Sequence, residues 1–147
     1  MTKTRHIAVT FGLAMAAALG CAGDGTGLGG GGGGGGGAPT LSADVQPILT
    51  ANCAFSGCHG GSSPAQGMNL SDGQTYSNTV NVASNELPSM DRIEPAQPDL
   101  SYLVQKIQGT QGGVGGSGGR MPLGGQPLTQ SQIDLIRAWI MGGATNN

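Results

Sequence analysis

Aromatic side chains make up only 3 % of this 147-residue chain, and charged ones only 10 %. The first shortage limits what a core can be built from. Beyond Phe11, which lies in an amino-terminal apolar stretch, only Phe55, Tyr76, Tyr102 and Trp139 bring aromatic bulk. The second argues against a nucleic-acid surface, because neutralising phosphates takes clustered Lys and Arg. Here the cations after the first few residues are Arg92, Lys106, Arg120 and Arg137, too scattered to form a patch on a chain of net charge −2. Long apolar runs are missing too: the stretch from Ile7 to Leu19 is too short, and too soon broken by Gly20, for a membrane-crossing helix. No run alternates at period two, so strands are not expected. Ligating residues are few. Past Cys21 they are Cys53, Cys58 and His59, crowded together and one short of the four that a structural zinc site wants.

Glycine is what the chain has in excess. From Gly23 to Gly37 it dominates, and from Gly29 onward it is the only residue, which predicts a flexible tether. The tract lacks the Lys-Ser/Thr ending and flanking strand of a phosphate loop. Upstream, Lys3 and Arg5 precede the apolar run, and small residues precede Cys21, the anatomy of an export signal. Ala18-Leu19-Gly20-Cys21 resembles a bacterial lipoprotein cleavage box, which makes Cys21 a candidate lipidation site. The expected organisation is a signal peptide over 1–20, a glycine-rich linker over 21–38 and one domain over 39–147, with room for a single core. With Cys21 lipidated, Cys53 and Cys58 are left as an even pair, consistent with an oxidising compartment. The expected location is the periplasm or cell envelope, with the protein tethered to a membrane.

Within the domain the apolar spacing is helical. Ser42 is placed to cap a helix carrying Val45, Ile48 and Leu49, with Pro47 near its start. Ser71 is a candidate cap for a brief helix containing Tyr76. Pro98 suits a first helical position, followed by Asp99 and a stripe of Leu100, Leu103, Val104 and Ile107 that Gly109 can end. Gly112 to Gly119 offers no reason for order, so a second mobile segment is expected. Thr129 and Gln132 form a capping box ahead of Ile133, Ile136, Trp139 and Ile140, and Gly142 and Gly143 stop that helix. The fold class is therefore all-α with long glycine-rich loops.

The chemistry lies in Cys53-Ala-Phe-Ser-Gly-Cys58-His59. Two thiols ending in Cys-His are what covalent haem attachment needs: the thiols add to the porphyrin vinyls and the adjacent imidazole reaches the iron. The spacing is Cys-x4-Cys-His where Cys-x-x-Cys-His is usual, so two further residues must bulge from the turn, and Gly57 is the residue best able to bend there. A haem would also fill an aromatic-poor core. The candidate sixth ligand is Met121, a soft thioether beside the stiff Pro122, with Met68, Met90 and Met141 as competitors. Trp139 is most simply a core residue, and Arg120 a solvated loop arginine or a partner for a haem propionate.

Val45 to Leu49, Asn52 to Gly60, Ser101 to Ile107, Arg120 to Pro122, Leu128 to Ile133 and Ile136 to Ala144 together resemble a class I, monohaem cytochrome c domain of the secreted bacterial kind. The resemblance implies helices around one covalently bound haem c, with Cys53 and Cys58 as thioethers, His59 proximal, Met121 distal, and Trp139 near the first helix or the porphyrin. It implies single-electron transfer with redox partner proteins, and no enzymatic activity. The alternative is a haem-free exported lipoprotein with the same helical frame, a Cys53–Cys58 disulfide worth about 2 kcal/mol, and a role as a binding module.

Overall fold

The computed structural model describes residues 37–147. The expected signal peptide, Cys21 and all of the glycine-rich linker except Gly37 and Ala38 lie outside them. Among the described residues the fold is helical, with isolated bridges such as Val80 to Ile93 and no strand. No helix among them is long and apolar enough to cross a membrane.

The first helix opens with a wide π-turn, Leu41–Val45, that runs into α1, Gln46–Asn52. Its cap is Thr40 rather than the expected Ser42. The Thr40 hydroxyl accepts the amide of Ala43 at 3.2 Å, and the Asp44 carboxylate accepts the amide of Thr40 at 2.8 Å. Starting at Leu41 puts Pro47 in the second turn, where it cannot donate to the carbonyl four residues back. The π-turn accommodates this: the amides of Val45 and Gln46 reach back five residues, to Thr40 and Leu41. Asn147 caps the same end from afar, its side-chain oxygen accepting the Leu41 amide and its main-chain oxygen the Ser42 amide, each at 2.9 Å.

α2, Thr75–Thr79, is brief and contains Tyr76 as expected, but Ser71 does not cap it. Ser71 instead lies in the preceding turn, where its carbonyl accepts the Gln74 amide. Pro98 starts a separate 3-10 turn, Pro98–Leu100, and α3 runs over Tyr102–Gln108. The break between them is Ser101, whose extended backbone is held by its hydroxyl, an acceptor for the Glu94 amide at 2.9 Å. Leu100 therefore leaves the predicted stripe and is 52 % exposed, whereas Leu103, Val104 and Ile107 are buried. Gly109 ends α3 in the left-handed region at φ 79°. α4, Gln130–Met141, has the full capping box of Thr129 and Gln132 and buries Ile133, Ile136, Trp139 and Ile140. α1, α3 and α4 share one core, completed by Leu70, Val80, Ile93 and Leu128. Trp139 is its largest fully buried side chain, and its indole donates to the Thr145 carbonyl at 2.9 Å. Phe55 adds nothing to the core, being exposed.

The segment from Gly112 to Gly119 is tied down, contrary to the expectation of a mobile loop. A 3-10 turn, Gln111–Val114, opens it. Lys106 Nζ then donates to the Ser117 carbonyl at 3.0 Å, Gln111 Nε2 to the Gly118 carbonyl at 2.9 Å, and the Ser117 amide to the Tyr102 hydroxyl at 3.3 Å. Gly116 lies so close to Tyr102 that a β-carbon there would collide with the phenol. Its glycine permits that approach.

Candidate functional site

The end of α1 delivers Cys53, whose amide still donates to the Leu49 carbonyl at 2.8 Å. The chain then turns out and back. Phe55, Ser56, Gly57 and Cys58 are all exposed, with Gly57 at φ 82°, and the loop closes where the His59 amide donates to the Cys53 carbonyl at 3.0 Å. The extra residues of the Cys-x4-Cys spacing thus form an outward bulge on a left-handed glycine, as expected. Gly60 makes the closure possible: a β-carbon there would run into the carbonyl oxygen of Ala54 and lie 2.8 Å from its carbon.

Cys53 and Cys58 are both free thiols in very different surroundings. Cys53 is 7 % exposed, and burial, with Cys58 adding to it, pushes its thiol up to about 11, so it is a neutral thiol at ordinary pH. Cys58 faces outward. Beside Cys53, the half-buried His59 ring has Nδ1 3.3 Å from the Met68 carbonyl oxygen. A carbonyl only accepts, so in that bond Nδ1 carries the proton, and in the neutral ring the lone pair is then on Nε2. Burial holds the imidazole below its ordinary value of 6.5, despite the opposing pull of backbone partners Met68 and Ala65, and this favours the neutral, ligating form.

Both residues line a cleft whose empty space, counted with the solvent it opens to, is about 620 Å³. Its apolar walls come from Leu49, Leu70, Leu103 and Ile107. Met121 also lines it, positioned where its amide donates to the Lys106 carbonyl at 2.9 Å as the chain leaves the glycine loop. Met68 lines the cleft as well; its carbonyl meets the His59 ring and its side chain packs against the core. Met90 lies away from the cleft, and Met141 is exposed. Cys53, His59 and Met121 therefore meet at one cavity; Cys58 does not line it. Trp139 is buried elsewhere in the core. Arg120 is exposed, its Nε donating to the Ile107 carbonyl at 3.0 Å.

One wall of the cleft was not legible in the sequence. Glu86 Oε2 accepts from Lys106 Nζ at 2.8 Å and from the Tyr102 hydroxyl at 2.9 Å, and Arg92 is buried beside them on the same cavity. Burial raises the Glu86 carboxyl, but the bonds from Lys106 and Tyr102 outweigh it and hold the group below its ordinary value. These partners are 16 to 20 residues apart in the chain, and no local pattern marks them. Among the described residues no three His, Cys, Asp or Glu side chains gather as a site for a bare ion. No family model matches the chain, and neither does a curated protein or a solved structure.

Proposed function

We propose that the protein is a c-type cytochrome: an exported carrier of single electrons that holds one covalently attached haem in the cleft beside Cys53 and His59. The observation that carries this reading is the meeting of a buried thiol, a neutral imidazole and a thioether on one apolar cavity. That donor set fits a porphyrin: His59 and Met121 would hold its iron and the Cys53 thiol would bond one vinyl group, while Cys58, exposed outside the cavity, would have to turn inward to form the second thioether. When bound, haem supplies a one-electron couple of the iron. His59 offers Nε2, with its ring aimed by the Met68 carbonyl, and Met121 offers its sulfur from the far end of α3. Leu49, Leu70, Leu103 and Ile107 give the cleft apolar walls that would keep water from much of a bound haem and lower the dielectric around it. Redox proteins of the envelope are the proposed partners, reached from a membrane if Cys21 carries lipid.

The test is an absorbance spectrum and intact mass of the exported full chain. Soret and α bands with added porphyrin mass on the denatured chain support the reading. A colourless chain two hydrogens lighter than its reduced form ends it in favour of the disulfide-held binding module. Replacing Met121 by Ala should abolish any methionine–iron charge-transfer band while leaving the porphyrin attached; an unchanged spectrum removes Met121 from its role.

A further inference from the structure

Arg92 carries a charge that nothing among the described residues balances. It is 8 % exposed and lines the cleft. Its Nη1 donates to the carbonyls of Asn78 at 2.8 Å and Gly67 at 3.3 Å, and its Nη2 to that of Gln66 at 2.8 Å. All three partners are neutral, and two of the five guanidinium N–H donors stay open. The one carboxylate on the cleft, Glu86, is already taken by Lys106 and Tyr102. Two cations against one carboxylate leave a positive charge over. Burial pulls the guanidinium pKa downward, and no acid pulls it back, yet arginine does not give up its proton in a protein. An uncompensated buried cation is costly, and the cost falls away when an anion is brought to it.

The guanidinium is also locked in place before any ligand arrives. Gln66 sits at φ 55°, a region a side-chain-bearing residue seldom occupies. Two donors converge on its carbonyl, Arg92 Nη2 and Asn85 Nδ2, each at 2.8 Å. Arg92 thus ties the turn after the histidine motif to the end of α2, and it is held in a rigid frame on the cleft with two donors unused. A carboxylate in the cleft would complete it with charge-assisted hydrogen bonds.

We infer that Arg92 is the residue that binds a carboxylate of the cleft's occupant; resting on the haem reading, that carboxylate is a porphyrin propionate. Arg120, the arginine next to Met121, does not line the cleft and is exposed, so its charge is solvated without a ligand and lacks the uncompensated burial that singles out Arg92.

The full chain, produced without haem-ligation machinery and kept reduced, is titrated with ferric protoporphyrin and with its dimethyl ester, which has the same ring and no carboxylate. Wild type should bind the free acid roughly tenfold or more tightly than the ester, as a charge-assisted bond requires. Arg92→Gln should bring that ratio close to one by weakening the free acid alone, and Arg92→Lys, which keeps the charge, and Arg120→Gln should each retain a preference. A ratio near one in wild type overturns the inference even if Arg92→Gln does not fold, and so does an undiminished ratio in folded Arg92→Gln. Both results leave the haem reading intact, since porphyrin still binds. If neither porphyrin binds and the exported protein is colourless, the haem reading fails and takes the inference with it.

Discussion

Replacing Gly60 by Ala puts one methyl group where the loop from Cys53 to His59 closes. The added β-carbon would overlap the Ala54 carbonyl oxygen, lie 2.8 Å from its carbon and 3.2 Å from the Phe55 oxygen, all main-chain atoms that cannot swing aside. Relief requires residues 54–55 and 59–60 to separate, which breaks two main-chain bonds: His59 amide to Cys53 carbonyl and Gly60 amide to Phe55 carbonyl, both 3.0 Å. At about 1 kcal/mol each, the loss is about 2 kcal/mol, and for a domain of this size the melting temperature should fall by roughly 10 °C. Gly57→Ala is the internal comparison. No atom lies within 4 Å of its β-position, so only the left-handed φ of 82° is penalised, at about 1 kcal/mol. Thermal melts of the haem-free full chain followed by far-ultraviolet circular dichroism measure both. If Gly60→Ala melts within about 0.5 kcal/mol of wild type, or costs less than Gly57→Ala, the tight closure does not hold His59 beside Cys53.

Glu86→Gln removes the carboxylate that partners the buried Lys106, whose side chain is 9 % exposed against 20 % for Glu86. Urea unfolding near neutral pH should show a loss of about 1–2 kcal/mol, modest because the glutamate is partly screened by solvent. The same pair sets an acid dependence. The folded Glu86 carboxyl lies below its ordinary 4.5, so its contribution is complete above that value and is lost as the pH falls through the lower folded value; the urea midpoint of Glu86→Gln should lack this share of the acid decline. Ile140→Ala empties a site that is 0 % exposed between α4 and the rest of the core, and unfolding should show a cost of about 2–5 kcal/mol. A smaller loss would mean that α4 is not the packed closing helix described above.

What could be read from the sequence was what neighbours along the chain decide. The Thr129–Gln132 box, the αL glycine after α3 and the bend at Gly57 are each set by a few adjacent residues, and each stands where the spacing put it. Capping by Thr40 and Asp44 was missed because Ser42 is an equally good cap by composition; the π-turn that Pro47 calls for moves the helix start upstream. Leu100 obeyed the stripe's periodicity, yet the Ser101 hydroxyl pulls the backbone extended by satisfying an amide seven residues back. The glycines of 112–119 looked featureless because their partners, Tyr102 and Lys106, lie on a helix already past. Of the candidate site, Cys53, His59 and Met121 were recognisable by type and position. The differing exposure of the two cysteines and the Glu86, Lys106 and Arg92 wall depend on three-dimensional return of the chain, which spacing does not encode.

α3 is enclosed on almost every side: Tyr102, Leu103, Val104, Gln105, Lys106 and Ile107 are all buried. A helix so little exposed frays less readily than one on the surface, so its main-chain protons should exchange with solvent late, as the surrounding layers open. The same enclosure makes it a common floor for the cavity and the glycine loop, and a disturbance on either side is felt on the other through one rigid rod.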